Sequence, residues 1–308
     1  MRAKWILSGG LAAALLSLTS CIVDVADWQR YSKDFHASYP LKAGGRLSVE
    51  TFNGAVDISA WDENTVDISG TKYGPTQDEA DNLRVDIDHT ADSVSIHVPR
   101  PTDHRHNQGA RFTIKVPRGT QFERVVTSNS SIRAEDGAGP SRLKSSNGPI
   151  RVMNLRGDLE AETSNSSVEL QGVDGNVRAH TSNGHIQAER VNGSVDASTS
   201  NSGVNIDVQR PDKDVRIDTS NNGVELDLPR NFSSNVHIET NNGPITLHLA
   251  DGTNARLSAH TSNSAIDTDF EVRTQGEISR NRLEGVIGTG GPLIELGTSN
   301  GKIQILRR

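Results

Sequence analysis

Cysteine is nearly absent from this 308-residue chain: Cys21 is the only one, so no disulfide can close within it. Aromatic residues make up 4% of the sequence and methionine occurs twice, so a core must be assembled from many small aliphatic side chains rather than a few rings. Basic residues are outnumbered, 32 Lys and Arg against 39 Asp and Glu, which argues against nucleic acid as a partner. No apolar run is long enough to span a bilayer comfortably. The longest, Trp5 to Leu18, is short and interrupted by Ser8, Gly9 and Gly10.

What the chain does have is a repeat. A tract of the form Thr-Ser-Asn-(Gly/Ser) places its Asn at Asn129, Asn147, Asn165, Asn183 and Asn201, each 18 residues after the last. It continues at Asn221, Asn242, Asn263 and Asn300 as the spacing grows to 20, 21, 21 and then 37. A fixed period of this size is the mark of stacked structural units, so function is to be sought on a repeated surface rather than in one pocket.

Within a unit the apolar residues alternate. Val168, Leu170, Val173, Val177 and Ala179 recur as Ile186, Ala188, Val191, Val195 and Ala197, which predicts two short strands per unit, one after the Asn turn and one after the Gly at 157, 175 and 193. Period-two alternation with many β-branched residues excludes helix. A hairpin meander would also alternate and stays open on pattern alone. A left-handed hexapeptide coil would not fit, because it needs an aliphatic residue every six positions and six after Ile150 is Arg156. One unit supplies only about five modest apolar side chains, too little to offset the ordering of 18 residues, so the units must stack. Asn tolerates turn geometry, and in a parallel stack equivalent Asn amides lie about 4.8 Å apart and bond one another. The Asn positions therefore read as structural columns.

The chain resembles the bacterial putative adhesin domain of unknown function, the TSNG-repeat β-solenoid family, over roughly residues 41–308. The resemblance rests on the repeated tract, the opening Gly45 to Val56 with its Thr51-Phe52-Asn53-Gly54, the late Gly285 to Gly291, and the closing Thr298-Ser299-Asn300-Gly301-Lys302-Ile303. It implies an all-β fold: a single-stranded parallel β-helix, or β-solenoid, with about 18–21 residues per rung, preceded by a β-rich lead-in segment. It supplies no catalytic residue and suggests an adhesin-like surface. On this reading residues 41–308 form one domain: 41–126 an irregular lead-in with strands near 85–87, 94–96 and 112–116, 127–270 the regular rungs, and 271–308 an insertion and closing rung. Residues 271–288 read equally as a loop or as a degenerate rung.

The N-terminus resembles a bacterial lipoprotein signal. Arg2 and Lys4 precede the apolar run, which ends in Leu18-Thr19-Ser20-Cys21. The resemblance implies cleavage after residue 20, palmitate-type lipidation of Cys21, a tether over 21–40 and a membrane partner through the lipid. Without Asp after the Cys, it implies the outer membrane. Loss of residues 1–20 would leave 288 residues with 30 Lys and Arg against 39 acids, a formal charge of −9.

If the units stack in register, one outward column reads Arg142, Glu160, Arg178, Asp196, Arg216, His237, and the next Lys144, Glu162, His180, Ser198, Asp218, Glu239, His260. Neighbouring signs support each other across strands. A β-helix lyase or hydrolase needs instead a cluster of carboxylates and bases in a groove. No catalytic residue, cofactor or metal is therefore expected. His104 and His106 read as incidental histidines of a polar stretch rather than as a metal pair, since no Cys and no nearby Glu-rich partner completes a set. Gly288-Thr289-Gly290-Gly291 lacks the Lys of a phosphate loop. The expectation is a non-enzymatic, lipid-anchored envelope protein that meets an unknown envelope protein or glycan. The rivals are a carbohydrate-active β-helix enzyme and an envelope-stress sensor acting through a protein partner.

Overall fold

Each repeat makes one turn of a solenoid from two strands and two corners. Ser141–Ser145 leads into the Asn147 corner, Ile150–Arg156 leaves it, and the chain turns at Gly157 into the next rung at Leu159–Glu162. The structure, a computed structural model, describes residues 31–100, 108–274 and 279–308. Among these the strands form two sheets, one of 13 strands that contains those following the Asn corners and one of 14 that contains those preceding them. Through the middle of the stack the pairing is parallel and in register: Ile150 lies beside Val168, Val168 beside Ile186 and Ile186 beside Val204. Leu159, Val177, Val195, Val215 and Val236 make the matching column opposite. Alternation turns these columns inward, where every one of them is at most 2% exposed. Small aliphatic side chains, repeated along the axis, thus supply the core that few aromatics could not.

Both ends depart from this order. The lead-in holds a complete rung, because Arg46–Glu50 pairs in parallel with Gln121–Thr127, and Val56–Trp61 pairs in parallel with Ile132–Glu135. Beyond it the chain caps the stack with antiparallel strands. Thr65–Gly74 pairs with Gly109–Pro117, and Tyr31–Pro40 adds to its outer edge. Residues 31–40 are therefore a strand rather than a tether. The reason is its alternation of Phe35, Ala37 and Tyr39, all half-buried, with Phe35 packed edge-on against Phe112 at 6.1 Å. Gly70 makes room, since a Cβ there would meet the Phe35 ring at 2.1 Å.

At the other end, space and sequence order separate. Leu293–Thr298 lies between Val236–Thr240 and Ala255–Thr261, and Ile303–Arg307 lies between Ile245–Leu249 and Ile266–Thr268. The rung at 293–307 is thus inside the stack, and the rung at 255–268 is outside it. Apolar content explains the choice. Ile294, Leu296, Ile303 and Ile305 are at most 1% exposed, whereas the outer rung offers the three-residue strand Ile266–Thr268 with Ile266 only half-buried. The described residues of 271–288 are neither a plain loop nor a rung: Arg282–Ile287 pairs antiparallel with Ala255–Thr261, and Val272–Thr274 pairs antiparallel with Arg282–Ile287, which caps the 14-stranded sheet.

Candidate functional site

The corner that carries the repeat is built from two side-chain columns and a close-packed fourth position. Asn147 donates from Nδ2 to Asn129 Oδ1 at 2.6 Å, and the pattern repeats through Asn165, Asn183, Asn201, Asn221 and Asn242 at 2.6–3.0 Å. Asn300 then donates to Asn242 and Asn263 to Asn300, both at 2.8 Å, so the ladder follows the spatial rather than the sequence order. Asn53 completes it at the other end by accepting from Asn129. Asn53 was legible in Thr51-Phe52-Asn53-Gly54, yet the 76-residue gap to Asn129 hid its place in the column.

Inside the ladder, Thr or Ser hydroxyls donate to a carbonyl of the adjacent rung, and at three corners they also accept a backbone N–H. Thr181 Oγ1 donates to Ser166 O at 3.0 Å and accepts from Gly184 N at 3.1 Å, and Ser145 and Thr298 do the same at their corners. These hydroxyls are buried, which is tolerable because both their hydrogen bonds are made. The close approach sets the fourth residue. A Cβ at Gly184 would lie 1.7 Å from Ser166 O, so glycine is required there, while the rung below has serine.

Outward positions of the 14-stranded sheet present the charge columns. Arg142 pairs with Glu160 at 2.7 Å, Lys144 with Glu162 at 2.8 Å and Arg178 with Asp196 at 3.2 Å, each across adjacent rungs. Arg216 turns instead to Asp218 on its own strand at 2.7 Å. Gly297 stands between Glu239 and His260 in the second column, a consequence of the inserted rung. A shallow groove runs along this face past Arg142, Glu160, Arg178 and Asp196. On the 13-stranded sheet, the Arg151 guanidinium bonded to Glu169 holds that carboxyl below its usual range, and Arg118 does the same to the exposed Asp62. A general acid at neutral pH needs the opposite shift.

Toward the C-terminal end, Asp218, His237 and Glu239 bring one imidazole nitrogen and two carboxylates together, with ligand atoms within 4.8 Å of one another. All three stand in the columns read from sequence, but they are divided between two columns and between two strands about 20 residues apart, which masked them as a set. Cys21, His104 and His106 lie outside the described residues. Among the described residues no helix is long and apolar enough to cross a membrane, and Tyr31 is the one large apolar side chain left exposed.

No curated protein matches the chain. Among solved structures, a putative adhesin from Bacteroides fragilis aligns at 12% identity and a TM-score of 0.32, over 90% of this chain and 97% of its own. A putative cell adhesion protein from Clostridium sporogenes aligns at 9% identity and a TM-score of 0.26, over 90% of this chain and 100% of its own. A family model described as Toastrack DUF4097 matches residues 45–306, and with that span the chain belongs to this family of parallel β-solenoids.

Proposed function

We propose that the protein is a non-enzymatic, lipid-anchored component of the cell envelope whose solenoid faces act as an adhesin-like interaction surface for an envelope protein or glycan. The observation that carries this reading is the pairing of outward charges from rung to rung, Arg142 with Glu160, Lys144 with Glu162, Arg178 with Asp196. Carboxylates that are spent on neighbouring cations leave a polar, self-neutralised sheet suited to many weak hydrogen bonds along an extended partner, not a reactive cluster. The near absence of exposed large apolar side chains among the described residues fits a polar partner as well.

Two assays on one protein test the proposal. In the native host, an alkyne fatty acid should label the wild type in the outer-membrane fraction and leave Cys21→Ser unlabelled. Retention of residues 1–20, or absence of label in the wild type, defeats the anchoring claim. The same purified protein should show no turnover of acidic or neutral polysaccharides above a heat-treated control, with or without divalent metal. Turnover that disappears in Glu162→Ala or Glu239→Ala would make the face an active site instead.

A further inference from the structure

Among the described residues, Asp218, His237 and Glu239 form the one group of three His, Asp or Glu side chains whose donor atoms all lie within 4.8 Å of one another. Asp218 lies on Val215–Thr219, and His237 and Glu239 lie on Val236–Thr240. The next strand, Leu293–Thr298, places Glu295 beside His237 and Gly297 beside Glu239. His237 Nδ1 and Glu295 Oε2 are 3.0 Å apart. A carboxylate only accepts, so this bond puts the imidazole proton on Nδ1 and leaves the lone pair of neutral His237 on Nε2. That nitrogen faces Glu239, 3.7 Å from Oε2. A carboxylate that orients a histidine so that its other nitrogen meets a further carboxylate, with Asp218 close by, is the usual surrounding of a metal-bound imidazole.

Space and charge agree with the same reading. Gly297 presents no side chain over Glu239, and even a Cβ built there would approach nothing nearer than 3.9 Å, so one flank of the cluster is open. The outward positions of the three strands carry Asp218, Glu239 and Glu295 against Arg216 alone, a formal excess of two negative charges. Arg216 bonds both Asp218 oxygens, at 2.7 and 3.1 Å, but each oxygen keeps a second lone pair. Donors around one ion at ~2.0–2.2 Å lie roughly 3.3–3.6 Å apart. Glu239, the most exposed member at 60%, has the freedom to close the remaining gap.

We propose that Asp218, His237 and Glu239 bind one divalent transition ion of the zinc type, with Glu295 positioning the histidine. One nitrogen and two oxygen donors suit zinc better than calcium, which takes oxygen ligands throughout. The ion would bridge two successive rungs and, through Glu295, tie in the strand that is inserted out of sequence order. The inference stands apart from the proposed function, because it concerns a metal staple rather than a partner.

The test uses the full chain carrying Cys21→Ser, which removes the only thiol, titrated with Zn²⁺ by calorimetry and with Co²⁺ by visible absorption. The expected result is one bound ion per chain, with Co²⁺ giving the bands of a low-symmetry nitrogen and oxygen site. His237→Ala should weaken binding at least about 100-fold and Asp218→Asn at least about 10-fold. Glu295→Gln, which touches no ion, should weaken it roughly 10- to 100-fold. Excess Zn²⁺ should raise the melting temperature of the parent and leave that of His237→Ala unmoved. The double variant His104→Ala/His106→Ala should bind as the parent does. Undiminished binding in a folded His237→Ala or Asp218→Asn, or binding lost in the His104/His106 variant, overturns the proposal.

Discussion

The middle of the stack and its C-terminal end use the same corner, yet only in the middle does the next rung in sequence become the next rung in space. From Asn129 to Asn242 each Asn bonds the Asn of the rung before it, whereas Asn300 bonds back to Asn242 across 58 residues and leaves Asn263 outside. A repeat therefore fixes the shape of a rung without fixing the order in which rungs are laid down. Order is decided by which rung has the more complete apolar faces. The rung with Ile294, Leu296, Ile303 and Ile305 takes the position covered on both sides, and the poorer rung at 255–268 takes the end, where an antiparallel strand covers only its Ala255–Thr261 strand. Antiparallel strands cap both sheets at the N-terminal end and the 14-stranded sheet at the other, which limits the open edges through which such stacks would grow into fibres.

The sharpest way to break the regular middle is to remove half a rung. Deletion of residues 181–189 removes one corner and one strand and brings unlike faces together, so cooperative thermal unfolding should be lost. Excision of residues 181–198 removes a whole turn, lets Thr163 to His180 stack on Thr199 and should cost only a few degrees in melting temperature. Equal tolerance of the two deletions would mean that 18 residues are not one turn.

Glycine substitutions compare the two regions at their tightest contact. Gly184→Ala in the middle and Gly301→Ala near the end both set a Cβ 1.7 Å from a backbone carbonyl of the adjacent rung, Ser166 and Gly243 respectively. Each should destabilise by about 3 kcal/mol or more, as expected where backbone cannot yield. Gly297→Ala, with nothing nearer than 3.9 Å, should be close to neutral. Chemical denaturation of the three variants would show whether the inserted rung is stacked as tightly as the others.

Smaller effects separate interior from terminal members of the ladder. Asn183→Ala removes two ladder bonds and Asn263→Ala one, so their costs should be about 1 kcal/mol and about half of that. These Asn side chains are exposed at the corner, which keeps the cost at the low end for lost hydrogen bonds. Smallest of all is a gain. Asp136, Asn154, Gly172 and Arg190 occupy one left-handed position in four successive rungs, and Arg190, at φ 55°, is the residue least suited to it. Arg190→Gly should stabilise by about 0.5 kcal/mol, read as a small rise in denaturation midpoint.

Much of this was legible in the sequence for a physical reason: in-register stacking makes every contact between rungs a contact between residues one period apart. The pairs Arg142 with Glu160 and Lys144 with Glu162 follow directly from a spacing of 18. What was hidden is whatever breaks the period. Tyr31–Pro40 looked like a tether because its alternation is confined to Phe35, Ala37 and Tyr39 amid polar residues, and its partner strand carries no repeat tract. The place of Asn53 was hidden by a 76-residue excursion, and that of Asn300 by strands that compete for one position on the stack. The Asp218, His237 and Glu239 group sits where two columns and the inserted rung meet, so no single spacing reveals it.

Insertion of the closing rung is the claim on which the C-terminal half of this account rests, and paired cysteines test it directly. In a Cys21→Ser background, Thr246→Cys with Gln304→Cys places two thiols on adjacent parallel strands, whereas Thr246→Cys with Asp267→Cys places them one strand further apart. Neighbouring strands lie about 4.8 Å apart, within disulfide reach, and next-nearest strands roughly 9.6 Å apart, beyond it. Mild oxidation of the folded protein, read as a mobility shift on non-reducing gels, should cross-link the 246/304 pair and leave the 246/267 pair reduced. A cross-link at 246/267 with none at 246/304 would restore the sequential order and contradict the inserted rung.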